Sequence, residues 1–165
     1  MGERSAAAFE EFVGILDYPM FIVTASVGDE NAGCLVGFAT QSSIDPPRFL
    51  VGLSPNNHTY SVARAATHLG VHLITRDDVE LAELFGSESG DQLDKFSRCA
   101  WHRGPAGVPI LDAACAWFVG SILDRFDLGD HVGQLLEPVA GYATDTHPTF
   151  VSFADVKDLD PGHQA

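Results

Sequence analysis

The sequence predicts a mainly β fold with a few short helices, built as one small closed or nearly closed sheet with the helices packed against it. Three observations carry this expectation. Short apolar or alternating runs are separated by turn-rich segments rather than by long helices. Only a few stretches have helical spacing. No Gly-x-Gly-x-x-Gly motif and no regular strand–helix alternation supports a doubly wound nucleotide fold. A chain of 165 residues, 45% hydrophobic and 19% charged, suits one domain with a sizeable core.

Taken in order, Ala6–Leu16 reads as a helix, because three alanines favour it and Phe9, Phe12, Val13 and Leu16 recur at helical spacing. Pro19 ends it. Met20–Val27 is apolar and β-branched, hence a buried strand. Gly28–Asn31 has hairpin-turn composition and leads to a strand over Cys34–Ala39, and Arg48–Leu53 returns as a third strand after Pro46-Pro47. Thr59–Ala66 reads as a helix ended by Gly70, with Val71–Ile74 as the next strand. Thr75–Asp78 starts another helix, with Asp77 or Asp78 as N-cap, which Val79–Phe85 completes. Gly86–Gly90 is a polar loop, Leu93–Phe96 a helical turn and His102–Gly107 turn-rich. Ile110–Cys115 and Ala116–Leu128 are strands, the second alternating with period two around a bulge-permitting Gly120. His131–Val139 is a further strand, and Gly141-Tyr142 and Phe150–Phe153 close the domain. Residues 1–155 are expected to form that single domain, and 156–165 a polar, frayed tail.

Charge excludes some functions. The net charge is -14, with only nine Lys plus Arg. A nucleic-acid face needs clustered cations to displace counterions, and an anionic membrane surface needs the same, so neither partner is expected. Met1–Glu11 has no apolar core suited to secretion, and no run approaches membrane-spanning length. Cys34, Cys99 and Cys115 are odd in number, lack Cys-x-x-Cys spacing and sit among apolar residues. They read as reduced thiols of a cytoplasmic protein.

Asn31–Tyr60 is the most informative stretch. Small side chains and hydroxyls at Gly37–Ser43 let a planar ligand approach the backbone, although a packed strand and turn would look the same. Asn56-Asn57-His58-Thr59 precedes a helix. Thr59 or Asn57 could simply cap that helix, or the turn could hold an anion on its orphan amides and polar side chains. Gly129-Asp130-His131 reads as a turn with an exposed histidine, and Asp94-Lys95-Phe96 as a solvated turn. His68 and His72 have the spacing of helix-borne metal ligands, but on a strand that spacing means only a shared face. No further ligand completes a set, so no metal is expected. No Gly-x-Ser-x-Gly motif supports serine hydrolysis.

The stretch Ser43-Ile-Asp-Pro-Pro47 after a glycine-containing strand, then Asn56–Thr59, resembles the flavin reductase family, whose members are FMN-binding split barrels. Glu80–Phe85, Gly90 to Asp94-Lys95-Phe96, Gly107–Leu111, Ala116-Trp117-Phe118 and Gly129-Asp130-His131 follow in the family's order, so the resemblance covers Phe12 to Val139. It departs at Gly37-Phe38, where the family often has Ser-Ser. Hydroxyl contacts to flavin made there would fall to backbone groups or to Thr40 and Ser42.

The resemblance implies a split β-barrel, a Greek-key-like antiparallel barrel flanked by short helices. It implies an NAD(P)H-dependent flavin reductase that uses FMN, or FAD, with NADH or NADPH as co-substrate, in a homodimer that can serve a separate monooxygenase component. Leu35, Val36, Gly37, Phe38, Ala39, Thr40, Ser42 and Ser43 would then face the flavin ring, with Leu35, Val36 and Phe38 giving its apolar surface. Asn56, Asn57, His58 and Thr59 would hold its phosphate. Lys95 and Phe96 would line the pocket, Lys95 as a phosphate or nicotinamide partner, and His131 would stand at the reacting edge. Two alternatives stay open: a non-enzymatic flavin-binding or storage protein, and a deazaflavin-dependent oxidoreductase.

Overall fold

In a computed structural model the structure describes residues 2–87 and 94–159. The elements in chain order are α1 (Glu3–Gly14), β1 (Phe21–Val27), β2 (Glu30–Val36), β3 (Ala39–Ser43), β4 (Arg48–Leu53), α2 (His58–Ala63) and β5 (His68–Leu73). After these come a 3-10 turn at Arg76–Asp78, α3 (Val79–Ser87), and a second such turn at Lys95–Arg98. Then follow β6 (Trp101–Arg103), β7 (Pro109–Leu111), β8 (Ala116–Asp127), β9 (Val132–Ala143) and α4 (Phe153–Val156). No described helix is long and apolar enough to cross a membrane.

Seven strands form one antiparallel sheet in the order β2-β1-β5-β8-β9-β4-β3, and β6 and β7 form a separate hairpin. The two edge strands, β2 and β3, are consecutive in sequence and joined only by Gly37 and Phe38. So short a link forces the sheet to curl until its edges approach. The Phe21 and Phe49 rings report the same curling: they come from β1 and β4, far apart in strand order, yet their centroids are 5.6 Å apart. The fold is thus a split β-barrel flanked by short helices, as the resemblance implies.

Strand β1 shows why a continuous apolar run was needed. Val23 and Ala25 point into the barrel core with Val51, Leu53, Leu69, Val71 and Leu136, while Ile22 points to a second core under α3 and α4 with Phe85, Leu111 and Val151. A strand buried on both faces has no polar alternation. Helix α2 adds Val62 and Ala63 to the barrel core. The register of β8 against β9 shifts at Val119/Gly120, the expected bulge, and again between Ile122 and Asp124.

Several boundaries differ from expectation. The strand expected over Cys34–Ala39 ends at Val36, because the chain must turn at Gly37-Phe38 to reach the opposite edge. Gly70 ends no helix; it sits inside β5, where a Cβ would lie 2.5 Å from the Thr24 hydroxyl and 2.9 Å from Val108. The helix over 76–87 opens at Thr75, not at Asp77 or Asp78. The turn-rich segment from His102 opens with the last two residues of β6, and Ile110–Cys115 is strand only to Leu111. Phe150 and Ser152 make only isolated bridges, to Thr75 and Pro19, before α4 begins. The tail expected to fray after Asp155 is tied down at its start, since Val156 is buried and Leu159 packs on the same cluster. The loop expected at Gly86–Gly90 begins as the end of α3; its remainder, the turn's start at Leu93 and the tail beyond Leu159 lie outside the described residues.

Candidate functional site

The site is built where the barrel closes. Gly37 is glycine for lack of room: a Cβ there would lie 2.7 Å from the Tyr18 ring and 3.0 Å from Met20 Sδ. Ala39 N–H donates to Gly37 O at 3.1 Å, and Gly52 N–H donates to Phe38 O at 2.7 Å. Gly52 is also a glycine of close approach, since its Cβ would stand 3.3 Å from Phe38 O. The backbone of Phe38 is therefore fixed, while the residue is 60% exposed.

That ring meets His131 edge-on, with centroids 4.9 Å apart and planes at 63°. His131 lies in the β8–β9 turn, just before Val132, which pairs with Leu53 of β4. Gly129 carries the turn at φ +123, a conformation that favours glycine, and Leu128 N–H donates to His131 O at 2.9 Å. The imidazole side chain is 17% exposed, and its Nδ1 lies 2.7 Å from Asp130 Oδ1. A carboxylate only accepts, so Nδ1 carries the proton and Nε2 is the nitrogen left for other work. The bond to His131 holds the Asp130 carboxyl below the usual carboxylate range.

Beside this pair runs β3, an edge strand of the sheet. Thr40, Gln41 and Ser42 are exposed, and Ala39 and Ser43 half-buried. Thr40 Oγ1 donates to Gln41 O at 3.2 Å, a weak local bond. A β-bulge between Gln41 and Ser43 interrupts the pairing with β4. The structure thus brings Gly37, Phe38, Ala39, Thr40, Ser42, Ser43 and His131 to one region.

The other expected residues are arranged differently. Leu35 and Val36 follow the strand period: Val36 is buried in the barrel and Leu35 packs under α3 beside Gly86. Neither offers an exposed apolar wall, so that surface falls to Phe38. In the Ser54–Thr59 turn, Asn57 is the cap of α2, its Oδ1 accepting from Thr59 N–H at 2.9 Å. Thr59 is 1% exposed, and its hydroxyl faces the buried Cys34 thiol, which burial pushes up and the Thr59 bond partly offsets. It supports the turn from within. His58 Nε2 lies 3.3 Å from Glu30 Oε1, and Asn56 is exposed.

Lys95 and Phe96 pack at the end of α3. Lys95 is 5% exposed and donates to Phe85 O at 3.0 Å and Gly33 O at 3.3 Å, at the carbonyl end of α3, where a cation suits the helix dipole. Phe96 packs edge-on to Phe85 and Trp101. Tyr18, Met20 and Gly52, which shape the bend, went unnoticed in the sequence. Gly52 carried a signal, a glycine inside an apolar strand. Among the described residues no His, Cys, Asp and Glu group can hold a metal ion.

The bend fits a planar ring system: a backbone held by hydrogen bonds at Phe38, an exposed aromatic side chain at Phe38, hydroxyls at Thr40 and Ser42, and an oriented imidazole. A family model described as flavin reductase like domain matches residues 13–154. The chain is 32% identical over 129 residues to the stachydrine N-demethylase reductase subunit of Rhizobium meliloti, covering 76% of this chain and 54% of that one. It is 25% identical over 138 residues to an FMN reductase (NADH) of Agrobacterium fabrum, covering 82% and 77% of the two. The chain spans about half the length of several curated relatives it matches. Among solved structures, an FMN-binding protein of Thermus thermophilus aligns with TM-score 0.75 and 27% identity, over 80% of this chain and 74% of that one.

Proposed function

This chain belongs to the flavin reductase like domain family, and from that premise we propose that it is an NAD(P)H:flavin oxidoreductase acting on FMN, or on FAD. The observation that carries the reading is the Phe38–His131 pair on the bend that closes the barrel, next to the exposed hydroxyls of β3. A flavin held here would supply the redox chemistry, accepting hydride from a nicotinamide nucleotide. The chain's own residues bind and orient. Phe38 gives an apolar face, Thr40 and Ser42 give hydroxyls, and the bend and edge strand give backbone N–H and C=O groups. Asn56 to His58 are the outward part of the phosphate turn, and local donors there must overcome the net charge of -14. His131, with Nδ1 tied to Asp130, offers Nε2 to the nicotinamide or to charge on the reduced ring. Positioning is the main contribution, so no nucleophile is needed.

Residues 1–155 are taken as one flavin-binding domain, extended by the end of α4. We place it in the cytoplasm, where the free Cys34, Cys99 and Cys115 would stay reduced. We also assign it a homodimer whose interface borders the bend, and a monooxygenase component as consumer of reduced flavin, by analogy with the reductase subunits among its relatives. NADH- or NADPH-dependent bleaching of the visible absorbance of added FMN tests the reading. Bleaching is the expected result. FMN binding without bleaching by either nucleotide would leave a storage protein, and no FMN binding at all would refute the reading.

A further inference from the structure

Helix α1 is amphipathic, with Phe9, Phe12 and Val13 on one side and the apolar Ile15 and Leu16 just beyond its end, yet none of its residues is buried. Ile15, its C-cap, is 81% exposed. A lone helix of this length is marginal in water and takes most of its stability from packing its apolar face. The helix is therefore built to lie against something.

The same chain carries an open apolar groove. One hollow of about 260 Å³ is lined by Phe21, Leu73, Phe118 and Tyr142, and a second of about 330 Å³ by Leu73, Cys115, Pro148 and Phe150. They share Leu73, Ala116 and Ala143, so they run together along one side of the barrel.

The root of α1 is anchored near this groove but does not deliver the helix into it. Asp17 accepts from Ser152 Oγ and from Ala154 N–H, each at 2.9 Å, and from Tyr18 N–H at 3.0 Å. Tyr18 stacks on Phe153 with ring centroids 4.9 Å apart. Only Ile15 and Leu16 separate this clamp from the end of α1.

We propose that α1 is an exchanged arm: the helix of one copy of this chain lies in the Phe21–Tyr142–Phe150 groove of a second copy, and the reverse. The mode is a helix in a groove, read by residues at i, i+3, i+4 and i+7. Each arm starts beside its own groove, so a two-fold axis can satisfy both contacts at once and close the assembly. Area supports the occupant. Taking about 200 Å² for a whole Phe, the five exposed apolar residues present roughly 500 Å² per copy. Matched by groove and doubled by symmetry, the pair would bury roughly 2,000 Å², against about 1,200–2,000 Å² for a specific interface. The polar side of α1, with Glu3, Glu10 and Glu11, would stay in water. Because Tyr18 and Met20 at the arm's root also touch the Gly37 position, the exchange would border the bend. The proposal deepens the dimer assigned above and does not depend on flavin chemistry.

Sedimentation velocity of the full chain, without flavin, tests it at about 10 µM, where a sub-micromolar dimer is nearly complete. Wild type should be dimeric. Phe12→Glu and Tyr142→Glu, both at exposed positions, should each weaken the dimer by at least a hundred-fold while leaving the β-sheet circular dichroism unchanged. Glu10→Gln should leave the dimer intact. A monomeric wild type overturns the proposal, whether hydrogen exchange shows α1 protected on its own groove or unprotected. A dimer lost in Phe12→Glu but kept in Tyr142→Glu also overturns it, since the helices would then pair with each other. FMN titration of the same samples reads the flavin site separately, so either proposal can fail while the other stands.

Discussion

Two histidines of this chain are used in opposite ways. His72 is fully buried in β5. Leu111 N–H donates to its Nε2 at 3.2 Å, so Nδ1 must carry the proton that is donated to Ile22 O at 2.9 Å. Both ring nitrogens are thus occupied by backbone, and the ring is neutral. Burial, followed by a smaller opposing effect of the Ile22 bond, pushes its pKa down from 6.5 to about 4. His131 stands at the barrel's closing bend with one nitrogen held by a carboxylate and its ring against an exposed Phe38. The difference teaches that environment, not residue type, separates a histidine whose hydrogen bonds are all spent inside the fold from one that keeps a nitrogen for a ligand. A ring whose nitrogens are both satisfied internally has nothing left to offer a ligand.

The largest expected effect is on the structural side. His72→Leu would leave Leu111 N–H and Ile22 O buried without that partner, at about 1–3 kcal/mol each. We expect a loss of about 3 kcal/mol or more in urea unfolding, with flavin reduction per folded molecule unchanged. A slowed reaction with intact stability would reverse the roles of the two histidines.

The pH dependence sharpens the same contrast. The folded-state pKa of His72 lies below its unfolded value, so the unfolded chain binds more protons between about pH 4 and 6.5. Its contribution is fully present above pH 6.5 and is lost as pH falls to about 4, on the order of 3 kcal/mol for this group alone. Urea midpoints across that window should fall more steeply for wild type than for His72→Leu. Equal slopes would mean that His72 does not stay neutral in the folded chain.

At the bend the effects should be on reaction rather than stability. His131→Ala should slow flavin reduction about ten-fold, or ~1.4 kcal/mol of barrier, in stopped-flow at saturating nucleotide. Unfolding free energy should move by less than about 1 kcal/mol. An unchanged rate with unchanged nucleotide affinity would make His131 only a turn residue. The smallest effect is expected for Phe38→Ala: flavin affinity weaker by about 1 kcal/mol, roughly five-fold, from the lost ring face. An FMN titration that leaves the dissociation constant unmoved would remove Phe38 from the site.

How far the sequence could be read follows the same division between local and long-range causes. Arg48–Leu53 is a strand at the expected bounds because its apolar run is fenced by Pro47 and by the Ser54-Pro55 turn. Cys34–Ala39 overshot because nothing local marks Gly37-Phe38 as the join between sheet edges; that requirement comes from strand order. Gly70 looked like a helix stop and is instead a packing glycine under Thr24, a neighbour distant in sequence. At the site, the pattern identified the residue types that gather at the bend. It did not give their direction. Thr59 and Lys95 have the chemistry to hold a phosphate, but the fold turns the first toward Cys34 and the second toward the end of α3.

The central claim is that flavin lies on the bend between Phe38 and His131. The most direct test is an amide ¹H–¹⁵N spectrum of the labelled protein titrated with oxidised FMN. The account expects the largest shifts at Phe38, Ala39, Thr40, Gly52 and His131, with His72, Lys95 and Phe96 nearly still. Shifts centred on Lys95 and Phe96, with the bend unmoved, would contradict it.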